Sequence, residues 1–329
     1  MSQRSMPTRR TCLSLALGAA SIALLPAARA QAYPNKPVKI IVGFAPGGAN
    51  DLLARVLAEP LGQALGQSVI IENKPGADAI VAAEFVARSP ADGYTLFFAG
   101  SGPITINPAI YAKLPYDAVK DFAPISVLGT LGVVIAARPT LGAKTVADVI
   151  RMAKERPQGL SYGSGSTSFQ MAAEMFARQA GIKLLHVPYK GGGPAVQALA
   201  AGDIDLMFAD SASVLALATS GRVVAVGMTS EPRPAALPNL AIVAESGLPG
   251  FDFNFFVGLM APGATPPDVV QRLYEACSAA LARPAIRDRM MSMGIRPVGT
   301  TPQQTVERVR RDIDHFTAIA QAAKIRGGG

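Results

Sequence analysis

Val38-Lys39-Ile40-Ile41-Val42-Gly43-Phe44-Ala45-Pro46-Gly47-Gly48-Ala49-Asn50-Asp51 reads as an apolar strand, a Pro-Gly-Gly turn and the opening of a helix. A continuous apolar run bounded by turn residues marks a strand buried on both faces. The same beat recurs along the chain. Strands are expected at Val38–Phe44, Ser68–Glu72, Tyr94–Ala99, Val133–Ala137, Leu160–Tyr162, Leu184–Val187, Ile204–Phe208 and Val223–Met228. Helices are expected between them at Ala49–Leu65, Ala79–Ala87, Val146–Glu155, Phe169–Ala180 and Pro194–Ala201. This alternation predicts an α/β fold of parallel sheets covered by helices.

The rhythm breaks at Glu231–Pro238, where three prolines mark a linker or surface loop. It resumes with a strand at Phe251–Met260 and a helix starting near Pro266-Pro267. Thr301-Pro302-Gln303-Gln304 then opens a long terminal helix, as an N-cap followed by Pro in the first turn.

Residues 1–30 read as an export leader. Arg4, Arg9 and Arg10 precede an apolar stretch from Cys12 to Pro26, and Ala28-Arg29-Ala30 supplies small residues for cleavage near Ala30. The apolar stretch is too short for a spanning helix of ~20 residues. The general secretory route is the first reading. The Arg9-Arg10 pair keeps a twin-arginine route open, although Cys12 replaces the usual aromatic. The formal charge of +8 falls to +4 past Ala30, with 27 basic against 23 acidic residues. No Lys/Arg cluster with interleaved aromatics remains, so nucleic acid is not an expected partner. Cys277 is then the single cysteine, in an apolar helical setting that reads as a buried structural thiol. With two histidines and this one thiol, neither a metal site nor a cofactor is expected.

Four loops between a strand and the following helix are candidates to hold a ligand, because open α/β sheets bind ligands at the carboxyl ends of their strands. In the first, Phe44, Ala45, Pro46, Gly47 and Gly48 let a ligand approach the backbone, and Asn50 or Asp51 would cap the helix. In the second, Tyr162 to Ser168, the hydroxyls of Ser164, Ser166 and Thr167 flank two glycines in a donor-rich turn. It has neither the spacing of a nucleotide phosphate loop nor that of a nucleophile elbow. The third is Gly100-Ser101-Gly102, and the fourth runs from His186 to Gly193. Asp203 and Asp205 are placed on the strand that Asp210 ends. Asp210 is placed at the cleft, to hold an amine or a bridging water. His186 is read as a structural hydrogen-bonding residue and His315 as solvated.

Several stretches, in this order, carry a family resemblance. They include Tyr33-Pro34-Asn35-Lys36-Pro37, Phe44 to Asp51, Glu72 to Ala77, Pro90 to Leu96, Lys120 to Pro124, His186 to Gly193, Gly202 to Phe208 and Ala244 to Gly247. The chain resembles the substrate-binding proteins of tripartite tricarboxylate transporters, the Bug family. The resemblance implies a periplasmic, two-lobed "Venus flytrap" with two crossover strands, of the type II-like kind. It implies no enzymatic activity. A small carboxylate would be gripped by the loops Phe44–Asp51 and Gly163–Ser168, with Ser101 and Asp210 as wall residues. Integral-membrane transporter subunits would be the partners of a monomer. Residues 31–131 with 227–329 are expected to form one lobe and 132–226 the other. Two alternatives stay open: a sensing module for a membrane kinase, and an exported hydrolase using Ser164 or Ser166 with His186. The chain departs from the family pattern at Asp78-Ala79-Ile80, where a glycine pair and a polar residue are usual. It also departs at Leu240–Val243, at Phe255-Phe256 in place of a Trp, and at Gln170 in place of a His.

Overall fold

The structure, a computed structural model, describes residues 33–189 and 191–327. The leader and its cleavage site at Ala30 lie outside these residues. Lys36–Gly329 forms one compact unit, and residues 33–35 belong to a separate N-terminal one.

The opening strand β1 (Val38–Val42) leads into helix α1 (Ala49–Leu65). Leu53, Ala54, Leu57, Leu61 and Leu65 form the buried stripe of α1, at the three- and four-residue spacing that a core-facing helix requires. Gly66, in the left-handed region at φ 73°, stops it by returning its N–H to the Gly62 carbonyl. The chain continues through β2 (Val69–Asn73), α2 (Ile80–Ala87), β3 (Thr95–Gly100), α3 (Asn107–Ile110) and β4 (Phe122–Gly132). A second set follows: β5 (Val134–Ala137), α4 (Val146–Lys154), β6 (Leu160–Ser164), α5 (Thr167–Ala180), β7 (Leu184–Pro188) and α6 (Gly192–Ala201). It closes with β8 (Leu206–Ala209), α7 (Ser211–Thr219) and β9 (Val224–Met228). The last quarter holds β10 (Asn254–Pro262), α8 (Pro267–Leu281), α9 (Pro284–Ser292), β11 (Ile295–Pro297) and α10 (Pro302–Ala323).

Two sheets result. The first has the order β11-β4-β10-β3-β1-β2 and the second β7-β6-β8-β5-β9. Each has its own core, one around Ile41, Phe97, Phe256 and Met260, the other around Ala136, Leu199, Met207 and Met228. The expectation of parallel sheets is met only in part. β1 is parallel to β2 and β3, and β6 to β7 and β8, but β4, β5, β10 and β11 pair antiparallel. The physical reason is connectivity. The chain crosses from one sheet to the other at β4–β5 and returns at β9–β10; the first strand after each crossing, β5 and then β10, runs against its sheet, while β4 and β9 run with theirs. The strand expected at Ile204 starts instead at Leu206. The Asp205 carboxylate accepts from Ser161 N–H (3.0 Å) and Arg138 Nε (2.9 Å), anchoring β6 to the end of β5.

The two crossings meet at a buried hydroxyl. Thr229 Oγ1 accepts the Val133 N–H at 2.7 Å and donates to the Phe253 carbonyl at 2.6 Å, while Thr229 N–H returns to the Val133 carbonyl at 2.9 Å. Thr229 is fully buried. A Thr229→Val substitution keeps the shape but leaves two buried backbone groups without partners, at about 1–3 kcal/mol each. Urea unfolding is expected to show a loss of about 2–4 kcal/mol for this variant, with Thr229→Ser close to wild type.

Candidate functional site

The loops that follow β1, β3, β6, β7 and β8 face one cleft of about 490 Å³ between the lobes. From the first lobe come Phe44–Gly48, Asn50 and Gly100–Gly102, with Phe255–Val257 of β10 behind them. The second lobe supplies Gly165, Ser166, Ser168 and Phe169, then Gly191–Pro194, then Asp210, Ala212 and Ser213. Phe169 and Phe255 meet edge-on across the gap, with ring centroids 5.7 Å apart.

Four helices of nine residues or more begin at this cleft: α1, α5, α6 and α7. Each leaves N–H groups without helical partners and carries roughly half a positive charge at that end. Among the described residues lining the cleft there is no Lys, Arg or His, and Asp210 is the one acid. Its positive potential therefore comes from backbone dipoles, which suits a carboxylate or another small anion.

Three of the four helix ends already face a resident carboxylate. Asp51 accepts the Gly47 N–H at 2.9 Å, together with Arg55 Nε (3.0 Å) and Asn73 Nδ2 (2.9 Å). Those bonds hold its pKa down against burial. Asn73 also donates to the Phe44 carbonyl at 3.0 Å, so the pair fixes the whole Phe44–Gly48 loop. Asp210 caps α7, accepting from Ser213 N–H and Ser213 Oγ, both at 3.0 Å. Thr167, first residue of α5, donates its hydroxyl to Asp78 Oδ2 at 3.0 Å. The α6 end has Gly191, Gly192 and Gly193 and no side-chain cap. Close packing limits side chains at Gly192 and at the facing Gly165, and Gly191 has a left-handed φ of 106°. A Cβ on Gly165 would stand 2.3 Å from the Gly191 carbonyl carbon, and one on Gly192 would stand 2.5 Å from Ser213 Oγ.

Of the residues singled out from sequence, Phe44, Ala45, Pro46, Gly47, Gly48, Ser101, Ser166 and Asp210 line the main cleft. Ser164 and Thr167 line an adjoining compartment of about 660 Å³, reached past the Phe44–Ala45 and Gly165–Ser166 walls. Asp51 lines neither, being buried beneath its loop. The helix cap expected from Asn50 or Asp51 is absent. Gly48 holds the cap position, Asn50 faces the cleft, and its Oδ1 is buried without a hydrogen-bond partner. Ser101 Oγ accepts the Phe256 N–H at 2.9 Å, so its hydroxyl proton is left to give. Asp210 meets Ser213 where an amine or a bridging water was expected.

Among the described residues, His186 and Ser164 form the pairing that resembles hydrolase machinery, Oγ to Nε2 at 2.8 Å. Burial lowers the His186 pKa. The buried acid of this cluster, Glu174, accepts from Tyr162 Oη at 2.7 Å and not from the imidazole. Ser164 is itself buried, and the pair serves the wall of the adjoining compartment. Cys277 is buried in α8, with its thiol pushed up to about 12 by burial. His315 is exposed.

Residues 53–325 match the family described as the tripartite tricarboxylate transporter family receptor. The chain belongs to this receptor family. Protein BugT of Bordetella pertussis is 31% identical over 295 residues, covering 89% of this chain and 90% of BugT. Two solved structures of Rhodopseudomonas palustris proteins superimpose well. Rpa4515 with adipate has a TM-score of 0.83 at 30% identity, covering 89% of this chain and 99% of that one. MatC with bound malate has a TM-score of 0.77 at 29% identity, covering 87% and 99%. The family receptor therefore has the two-lobed periplasmic-binding-protein fold with crossover strands. No helix among the described residues is long and apolar enough to cross a membrane. Beyond the site residues chosen from sequence, the cleft is lined by Asn50, Gly100, Gly102, Leu131, Gly165, Ser168, Phe169, Gly191–Pro194, Ala212, Ser213 and Phe255–Val257. Gly191–Gly193 and Phe255-Phe256 were visible as a loop and as a departure from the family pattern. Ser213 carried a weaker signal, three residues after the acid that caps its helix.

Burial raises the Asp210 pKa above its ordinary value, against the bonds from Ser213. As pH rises past about 4, the unfolded chain releases this proton before the folded one. The contribution of Asp210 to stability is therefore full below pH 4 and declines as pH rises through its folded value. Asp210→Asn removes that decline while keeping a residue suited to the cap. The unfolding free energy of the variant, relative to wild type, is expected to be larger (the variant relatively more stable) at pH 7 than at pH 4 in urea titrations. A difference of opposite sign contradicts the assignment.

Proposed function

We propose that this protein is a periplasmic receptor that captures a small carboxylate, an organic acid or an amino-acid-like molecule, for a tripartite tricarboxylate-type transporter. The observation that carries this reading is the convergence of four helix N-termini on an interlobe cleft lined, among the described residues, by no basic side chain. The family membership supports it, as do the adipate and malate held by the two structural neighbours. The ligand carboxylate rests first on the N–H groups at Gly191–Gly193, where no resident acid competes. The N–H groups of Gly48 and the hydroxyls of Ser101 and Ser166 approach it from the facing walls. Residues 31–131 with 227–329 act as one lobe and 132–226 as the other, and they close around the ligand because the closed form makes the additional contacts. The closed monomer then presents its surface to integral-membrane subunits. The leader directs export and is removed near Ala30. The receptor carries out no chemistry on what it binds.

Thermal-shift measurements on the mature protein with a panel of small carboxylates and amino acids test this. At least one compound is expected to raise Tm by several degrees at a concentration of about 100 Kd, equivalent to roughly 2.7 kcal/mol of stabilisation. A panel without any stabilising member overturns the reading. Mass spectrometry of small molecules that co-purify with the protein names the ligand directly.

A further inference from the structure

Ala77, Asp78 and Ala79 have φ values of 45°, 51° and 67°, three consecutive L-residues in the left-handed region. Such a run is disfavoured by contact between each Cβ and the backbone. It persists where surrounding structure holds it. Here Asn107 Nδ2 donates to the Asp78 carbonyl at 3.1 Å, and Ala79 is buried against Gly43. The outcome of the strained turn is the position of one carboxylate. Asp78, from the first lobe, reaches across to the first residue of α5 in the second and receives the Thr167 hydroxyl at 3.0 Å and the Thr167 N–H. The helix end it meets has no side-chain cap of its own.

The carboxylate also lines the 660 Å³ compartment that adjoins the main cleft. Gln170, His186 and Tyr189 face the same space as neutral groups, and Arg326 is exposed at its edge. Burial raises the Asp78 pKa and the two Thr167 bonds oppose that rise; Tyr111 is raised by its own burial and then by the nearby Asp78 carboxylate. A ligand anchored at Gly191–Gly193 and long enough to pass the Gly165–Ser166 wall brings its other end to Asp78.

We propose that Asp78 determines specificity: it rejects a second carboxylate at the distal end of the ligand and favours a neutral or cationic group there. This rests on the receptor reading above. A fixed like charge at close range, in a partly buried site, disfavours a second carboxylate through direct repulsion. The helix end that could have offset that charge is already taken by Asp78.

Calorimetric titration with straight-chain acids matched in length tests the proposal. The probes are adipate, hexanoate and 6-aminohexanoate, with succinate, butanoate and 4-aminobutanoate as the shorter set. In wild type, the monocarboxylate and the ω-amino acid are each expected to bind at least about tenfold tighter than the dicarboxylate of the same length, a difference of about 1.4 kcal/mol. Asp78→Asn, whose side chain tolerates the left-handed backbone, is expected to close most of that gap. Asp78→Gly relieves the strained turn and is expected to do the same, which separates charge from backbone effects. A dicarboxylate bound as tightly as its partners by wild type overturns the proposal, as does an unchanged gap in both variants. If none of the six binds to any of the proteins, the carboxylate-receptor reading falls, and this inference with it.

Discussion

The Thr229 hydroxyl is the contact on which the rest of the architecture depends. It joins the outgoing crossover at Val133 to the returning one at Phe253, and the backbone of Thr229 closes the same ring of bonds. All of this is sealed from water, where an unpartnered amide or carbonyl is costly. Two covalent connections bonded to each other at one point leave the lobes free to rotate about that point and resist their sliding past each other. That point, together with the Asp78–Thr167 bond and the Phe169–Phe255 contact, keeps the loops of the two sheets facing one another across the cleft.

What they present is a site built from main-chain polarity. In water a helix dipole counts for little. In a narrow gap between two lobes, with apolar Phe169, Phe255 and Phe256 around it, it counts for more. The resident acids then divide the four helix ends unequally. Asp51 is spent on holding its own loop, and Asp210 on capping α7. Asp78 spans the gap, and α6 is left open. The same three carboxylates that consume donors therefore define where a further anion finds them unoccupied.

Much of this was legible in the chain. Ala49–Leu65 was predicted to the residue, because Gly48 and Gly66 bracket an unbroken apolar stripe. The cleft loops were legible as well, since they follow strands in an α/β alternation, and such loops gather at one end of a sheet. The 11-residue strand β4 was not. Pro124, Gly129 and Gly132 interrupt it, and pairing with β10 and β11 holds what local propensity does not. Helix α7 was equally hidden. Its run of Ser, Ala and Leu shows no amphipathic period, and only the Asp210 cap marks its start. Asp51 illustrates the limit for sites. An acid in the first turn of a cleft-facing helix has the position of a ligand contact; Arg55 one turn on is a partner visible in sequence, but its engagement by Asn73 depends on a strand that only the fold brings near.

The α6 terminus has a consequence for how such a receptor diversifies. Its donors are peptide groups, present whatever the side chains are, and a side chain at Gly165 would clash with the backbone of Gly191 and Gly192, one at Gly192 with the Ser213 side chain. On the proposed reading, the grip on the shared feature of all carboxylates is thereby hidden from ordinary coding change. Substitutions at Asn50, Phe169, Phe255 or Asp78 can retune the remainder of the pocket while the anchor stays intact. A lineage built on this plan can drift from one acid to another without passing through a form that binds none.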